Sequence, residues 1–135
     1  MSGKMYRIVM LIDDNDIDNL INQKMIEAAS IAENIYTHTG AKSAIEFLRN
    51  MEKMDVADKV LPDVIFLDID MPLMDGFQFL DEFEKLSNTV KKKCKIVMLT
   101  SSINPQDFSR SKKYTNVKLY LNKPLSHESI LKLVV

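Results

Sequence analysis

A chain of 135 residues, 46% hydrophobic and 27% charged, is long enough to bury one ordinary core and too apolar to be a disordered segment. A net charge of −1 points to neither nucleic acid nor an anionic membrane. No apolar run approaches the ~20 residues of a membrane span, Met1-Ser2-Gly3-Lys4 lacks the apolar core of a signal peptide, and the single Cys94 fits a reducing compartment, so composition predicts one cytoplasmic domain.

Two hydrophobic periods alternate along the chain. Tyr6 to Ile12 is a compact, β-branched apolar run that predicts a strand buried on both faces. Ile17, Leu20, Ile21, Met25 and Ala28 then fall at helical spacing, with Asp16 placed to cap the helix. Ile35 to His38 predicts a short strand ended by Gly40, and Ala41, Ala44, Ile45 and Leu48 mark a second helix, which Met51 to Pro62 extends into a loop.

Val64 to Leu67 is the third predicted strand, and Gly76 opens a helix carrying Phe77, Leu80, Phe83 and Glu84. The basic segment Lys91-Lys92-Lys93-Cys94-Lys95 reads as a solvated turn entering a fourth strand, Lys95 to Leu99. Asn104-Pro105-Gln106-Asp107 begins a helix with an Asn cap, a first-turn proline and an acid at the positive dipole end. Val117 to Leu121 predicts the fifth strand. A last helix starts at Ser126, where Leu125 and Ile130 have the spacing of a hydrophobic staple.

Strand–helix units joined by short connections predict an α/β, doubly wound parallel sheet. Ligands in such sheets bind beyond the carboxyl ends of the strands, where strand order reverses. The polar residues that interrupt the apolar runs all lie at those ends: Asp13 and Asp14, Asp68, Thr100 and Ser101, and Lys123. Singly, each has an ordinary reading: a helix cap for the aspartates, a strand end for the hydroxyls, a solvated lysine. Their shared placement is what indicates a site.

Asp14 and Asp68 offer hard oxygen ligands suited to Mg²⁺, with no cysteine or histidine cluster to favour zinc or copper. Carboxylates crowded in one pocket repel each other until a divalent ion relieves them. A carboxylate can also attack phosphorus to form an aspartyl phosphate, and phosphoryl transfer asks mainly for positioning and neutralised charge. Lys123 and the Thr100 hydroxyl can supply part of both.

With these residues assembled, the chain resembles the response-regulator receiver domain, the CheY-like family of two-component signalling, from about Tyr6 to about Ile130. Asp13-Asp14 is similar to the family's acidic pair, and Leu67-Asp68-Ile69-Asp70-Met71-Pro72 with Asp75-Gly76 to its phosphoacceptor loop. Leu99-Thr100-Ser101 resembles its switch-hydroxyl strand, and Tyr120-Leu121-Asn122-Lys123-Pro124 its switch-tyrosine and lysine strand.

The resemblance implies a flavodoxin-like (βα)5 three-layer sandwich with strand order 2-1-3-4-5. It implies one receiver domain over residues 1–135, core about 6–133, without an output domain. Asp68 would accept a phosphoryl group from a sensor histidine kinase or a histidine phosphotransfer protein, with Mg²⁺ or a substituting Mn²⁺ bound by Asp14 and Asp68, by Asp13 through water, and by the Asp70 main-chain carbonyl. Lys123 would hold phosphoryl oxygens beside a cis Lys123–Pro124 bond. Thr100 and Tyr120 would move together and reshape the face of the fourth helix, fifth strand and fifth helix for a downstream protein target.

Catalysis in this reading is limited to self-phosphorylation and slow autodephosphorylation, not enzymatic turnover, and no nucleic acid or membrane is engaged. Asp70 and Ser102, each two residues beyond a site residue, are expected to tune the lifetime of the phosphoryl group. The final helix, under three turns, is shorter than the family usually has. Asp68-Ile69-Asp70 also matches the Asp-x-Asp nucleophile of haloacid-dehalogenase-like phosphatases, but there the nucleophile strand comes first and the metal acids last. A receiver fold that is never phosphorylated, serving only as an interaction module, is the third reading.

Overall fold

The computed structural model describes residues 5–54 and 60–133. In chain order these form β1 (Tyr6–Ile12), α1 (Asp16–Ala29), β2 (Ala32–His38), α2 (Ala41–Met51), β3 (Val64–Leu67), α3 (Gly76–Glu84), α4 (Asn88–Lys93), β4 (Lys95–Thr100), α5 (Pro105–Ser111), β5 (Val117–Asn122) and α6 (His127–Leu133). The strands make one sheet of order β2-β1-β3-β4-β5, with every neighbouring pair parallel.

Alternation along the strands builds two cores, one on each face. Met10, Ile12, Ile65, Leu67, Ile96 and Met98 point toward α2, α3 and α4, where they meet Ala44, Ile45, Leu48, Phe79, Leu80, Phe83 and Val90. Val9, Leu11, Val64, Phe66, Val97 and Leu99 point the other way, toward Ile26 of α1 and Ile130 of α6. Burial on both faces is why the central strands read as unbroken apolar runs. The chain reverses its winding at β1, which lies between β2 and β3, so the crevice opens beyond the ends of β1 and β3.

Several expectations are corrected. Asn15, not Asp16, caps α1, its side chain accepting from the N–H groups of Ile17 (2.9 Å) and Asp18 (3.0 Å). The apolar stripe expected to face the core is turned out: Ile17 is 67% exposed, Leu20 55% and Ile21 43%, while Asn19, Asn22 and Ile26 are buried. A binary pattern places apolar residues inside, but this face of α1 covers polar main chain at the end of β1 and after β5. Asn19 donates to the Asp13 carbonyl at 2.9 Å, and Asn22 accepts from the Leu125 N–H at 3.1 Å.

The expected basic turn is instead the helix α4, capped by Ser87 and anchored by buried Val90, followed directly by β4. Strand β2 begins at Ala32, three residues ahead of its predicted start, because Tyr6 to Ile12 of β1 offers it a parallel edge. The predicted extension of α2 toward Pro62 falls partly on residues 55–59, outside the described residues; the described helix ends at Met51. Asn104 caps α5 with Pro105 at its start, and Ser126 accepts from the Ser129 N–H (3.1 Å) at the head of α6, both as expected. Among the described residues no helix is long and apolar enough to cross a membrane.

Candidate functional site

Four strand ends converge at the crevice. Asp13 follows β1, its N–H donating to the His38 carbonyl at 3.1 Å. Asp68 follows β3, its N–H donating to the Ile12 carbonyl at 3.1 Å and its carboxylate accepting from the Ile69 N–H at 2.9 Å. Thr100 closes β4 fully buried, and Lys123 follows β5 with its N–H on the Thr100 carbonyl at 2.9 Å. Parallel pairing in register therefore carries acids, hydroxyl and lysine to one edge of the sheet.

Asp13 and Asp68 are buried, and Asp14 is exposed at the rim. One carboxylate oxygen from each of the three lies within 4.8 Å of the others. Burial and the neighbouring Asp13 charge push the Asp68 carboxyl up to about 6, although Lys123 draws it down. An acid held that far above its ordinary range marks, first, a site withdrawn from water and, second, the charge of Asp13 beside it. Three hard oxygen donors in such a field fit a small divalent cation.

The Lys123 ammonium is the site's cation. It ion-pairs with Asp13, stands 2.9 Å from Asp18 and lies 3.4 Å from Asp68. Burial works against its charge, but the hydrogen bonds it donates to Asp13 and Asp18 and the charges of Asp68 and Asp13 outweigh it, so its pKa is raised. The Lys123–Pro124 bond is cis. Asp18, in the first turn of α1, was not singled out from sequence. It is separated from Lys123 by 105 residues, and a charged residue at the start of a helix ordinarily reads as a dipole partner.

Thr100 Oγ1 accepts from the Ser102 N–H at 3.1 Å, and the Ser102 hydroxyl donates to Asp107 of α5 at 2.6 Å. Asp70, two residues beyond Asp68, is exposed. Tyr120 is half-buried, edge-on to Phe108 with ring centroids 5.3 Å apart, and its buried hydroxyl has no hydrogen-bond partner among the described residues. Asp13, Asp14, Asp68, Thr100, Ser102 and Lys123 are thus brought to one end of the sheet, with Tyr120 further back along β5.

The sequence profile of the response regulator receiver domain matches residues 9–135. This chain belongs to the response regulator receiver domain family. The receiver resembles a crystallographically solved two-component response regulator from Cytophaga hutchinsonii, at 29% identity and TM-score 0.87 over 97% of this chain and 96% of that one. It is 25% identical to response regulator Rcp1 of Synechocystis over 95% of this chain and 84% of that protein. It is 30% identical to the sensor histidine kinase CheAY of Helicobacter pylori over 94% of this chain, which spans only 14% of that kinase. The five-stranded order 2-1-3-4-5 expected from sequence is the order found. Receiver domains of two-component systems take phosphate from histidine kinases and bind Mg²⁺ at an acidic pocket, and this receiver carries such a pocket in Asp13, Asp14 and Asp68.

Proposed function

We propose that Asp68 is the phosphoacceptor of this receiver domain, charged by a sensor histidine kinase or a phosphotransfer protein. The observation that carries this reading is the position of Asp68: buried, clustered with Asp13 and Asp14, and 3.4 Å from the Lys123 ammonium. In the transfer, an Asp68 carboxylate oxygen bonds to phosphorus as the bond from phosphorus to the donor's imidazole nitrogen breaks, and the histidine recovers its proton from solvent. Asp13, Asp14 and Asp68, with the main-chain carbonyl of Asp70, would hold Mg²⁺ or a substituting Mn²⁺; when bound, the ion supplies neutralising charge to the phosphoryl oxygens. Lys123 supplies the protein's own positive charge beside Asp68.

Thr100 and Tyr120 form the switch in this reading. The Thr100 hydroxyl lies at the end of β4, the strand beside β3, and the Tyr120 ring packs edge-on against Phe108 with no hydrogen bond on its hydroxyl among the described residues. A shift of both changes the α5–β5–α6 face presented to a downstream protein. Asp70 and Ser102 tune how long the phosphoryl group survives, Asp70 by its charge two residues beyond Asp68 and Ser102 by fixing the β4–α5 turn through Asp107. The domain acts in the cytoplasm, reacts on itself without turnover, and engages proteins in place of nucleic acid or membrane.

Acetyl phosphate with Mg²⁺ tests the reading: one phosphoryl group per chain should appear, none on Asp68→Asn, and far less on Asp14→Ala. Asp70→Asn and Ser102→Ala should change the lifetime of the label. Repeated turnover of a phosphate monoester would instead point to a phosphatase.

A further inference from the structure

The polar face that α1 turns inward has one member whose role is not accounted for by packing. Asn19 and Asn22 satisfy main-chain groups of Asp13 and Leu125. Asp18, on the same side of the helix, reaches past them to the Lys123 ammonium at 2.9 Å. The Lys123 main chain is already pinned, by its own N–H on the Thr100 carbonyl and by Asn22 on Leu125 two residues later. The ammonium at the end of the four-carbon stem is positioned by the acids around it.

An ammonium has three N–H donors. Among the described residues, Asp13, Asp18 and Asp68 are the three acids paired with this one. Asp13 and Asp68 both belong to the cluster whose oxygens could bind a cation, and Asp18 does not. Once Asp13 and Asp68 turn toward an ion or a phosphoryl group, Asp18 is the one acid left to hold the ammonium alone. Its side chain is about one-third exposed, against 12% for Lys123, so it holds the lysine from the solvent side, with Asp13 and Asp68 on the buried side.

We propose that Asp18 is a positioning residue for phosphoryl transfer, anchoring the Lys123 ammonium so that one N–H stays aimed at the oxygens arriving on Asp68. The inference rests on Asp68 being the acceptor. Without the Asp18 charge, the lysine tip samples several rotamers and the developing charge loses a fixed partner. α1 thereby becomes part of the acceptor site, although it contributes nothing to the cation cluster.

The test compares the full chain with Asp18→Asn, Asp18→Ser, Asp18→Glu and Asp16→Asn, using Mg²⁺ and acetyl phosphate as donor. In the reaction an Asp68 oxygen displaces acetate: the O–P bond to Asp68 forms as the P–O bond to acetate breaks. Asp16 shares the first turn of α1, and so the same dipole effect, but is not among the acids paired with Lys123. We expect the maximal labelling rate to fall about tenfold in Asp18→Asn and Asp18→Ser, with half-saturation by Mg²⁺ little changed. Asp16→Asn should keep the wild-type rate, and Asp18→Glu should recover part of the loss. The ammonium ¹H–¹⁵N signal of Lys123 should be sharp in the wild type and broadened in Asp18→Asn. Wild-type labelling of Asp68 with an undiminished rate in Asp18→Asn overturns this inference alone, as does an equal loss in Asp16→Asn. A wild-type chain that takes no label overturns the acceptor reading, and this one with it.

Discussion

Gly76 sits with its Cα against the main chain of Asp68. A Cβ at Gly76 would overlap the Asp68 carbonyl oxygen and come within 2.9 Å of Ile69 Cα, while the Gly76 N–H donates to the Ile69 carbonyl at 2.8 Å. The start of α3 is thus built onto the Asp68 loop. Alanine is ordinarily better than glycine in a helix by about 1 kcal/mol. Here the added methyl meets backbone, so Gly76→Ala should destabilise the fold by about 2 kcal/mol and slow labelling of Asp68. Urea unfolding checks the first effect, and a stability gain would contradict it.

Leu73 holds a left-handed backbone, φ 69°, with its side chain 99% exposed. A leucine there bears the clash of its Cβ with the following carbonyl and recovers no burial. Leu73→Asn should therefore stabilise the chain by about 1 kcal/mol, since asparagine tolerates this conformation, whereas Leu73→Ala should gain nothing. Chemical denaturation of the two variants separates the backbone effect from any effect of lost apolar surface.

Tyr120 buries a hydroxyl without a partner among the described residues. Desolvating such a group costs about 1–3 kcal/mol, so Tyr120→Phe should be as stable as the wild type or more stable by about 1 kcal/mol. If the switch reading holds, the same variant should still take label on Asp68 yet bind its downstream target differently. A marked loss of stability would mean that the hydroxyl is bonded.

Stability should depend on pH through Asp68. Its carboxyl titrates near about 6 in the folded chain, pushed up by burial and by Asp13, and near ~3.9 when unfolded. Between these values the folded chain holds a proton that the unfolded chain releases. Stability therefore rises as pH falls from 7 through 6 toward 4, by on the order of 2 kcal/mol. Asp63 acts oppositely: burial would raise its pKa, but Lys93 and the N–H groups of Ile8 and Arg7 hold it down. Its contribution is present above the ordinary carboxylate range and is lost in stronger acid. Metal-free protein should unfold at a higher temperature at pH 5 than at pH 7, and Asp68→Asn should flatten that difference.

The sheet and the convergence of the site were legible because both are written locally. Each strand is an apolar run and each site residue stands at its carboxyl end, so Asp13, Asp68, Thr100 and Lys123 could be placed without a contact map. α1 was misread because hydrophobic pattern assumes an apolar interior. Its inner face meets Asp13 and the segment after Lys123, whose main-chain groups need partners, and so Asn19 and Asn22 are buried while Ile17 and Leu20 are not. α4 was hidden by its three lysines, although Ser87 and Val90 carried the signal of a capped helix. The Asp18–Lys123 pair joins residues from opposite ends of the chain, and no local pattern announces it.

The acceptor assignment is tested most directly by trapping the acyl phosphate. The chain would be phosphorylated with acetyl phosphate and Mg²⁺, reduced with borohydride, and its peptides sequenced by mass spectrometry. Reduction converts an aspartyl phosphate to homoserine, and the account predicts homoserine at position 68 and nowhere else. Homoserine at position 13, 14 or 70, or a phosphorylated chain with none, would contradict it.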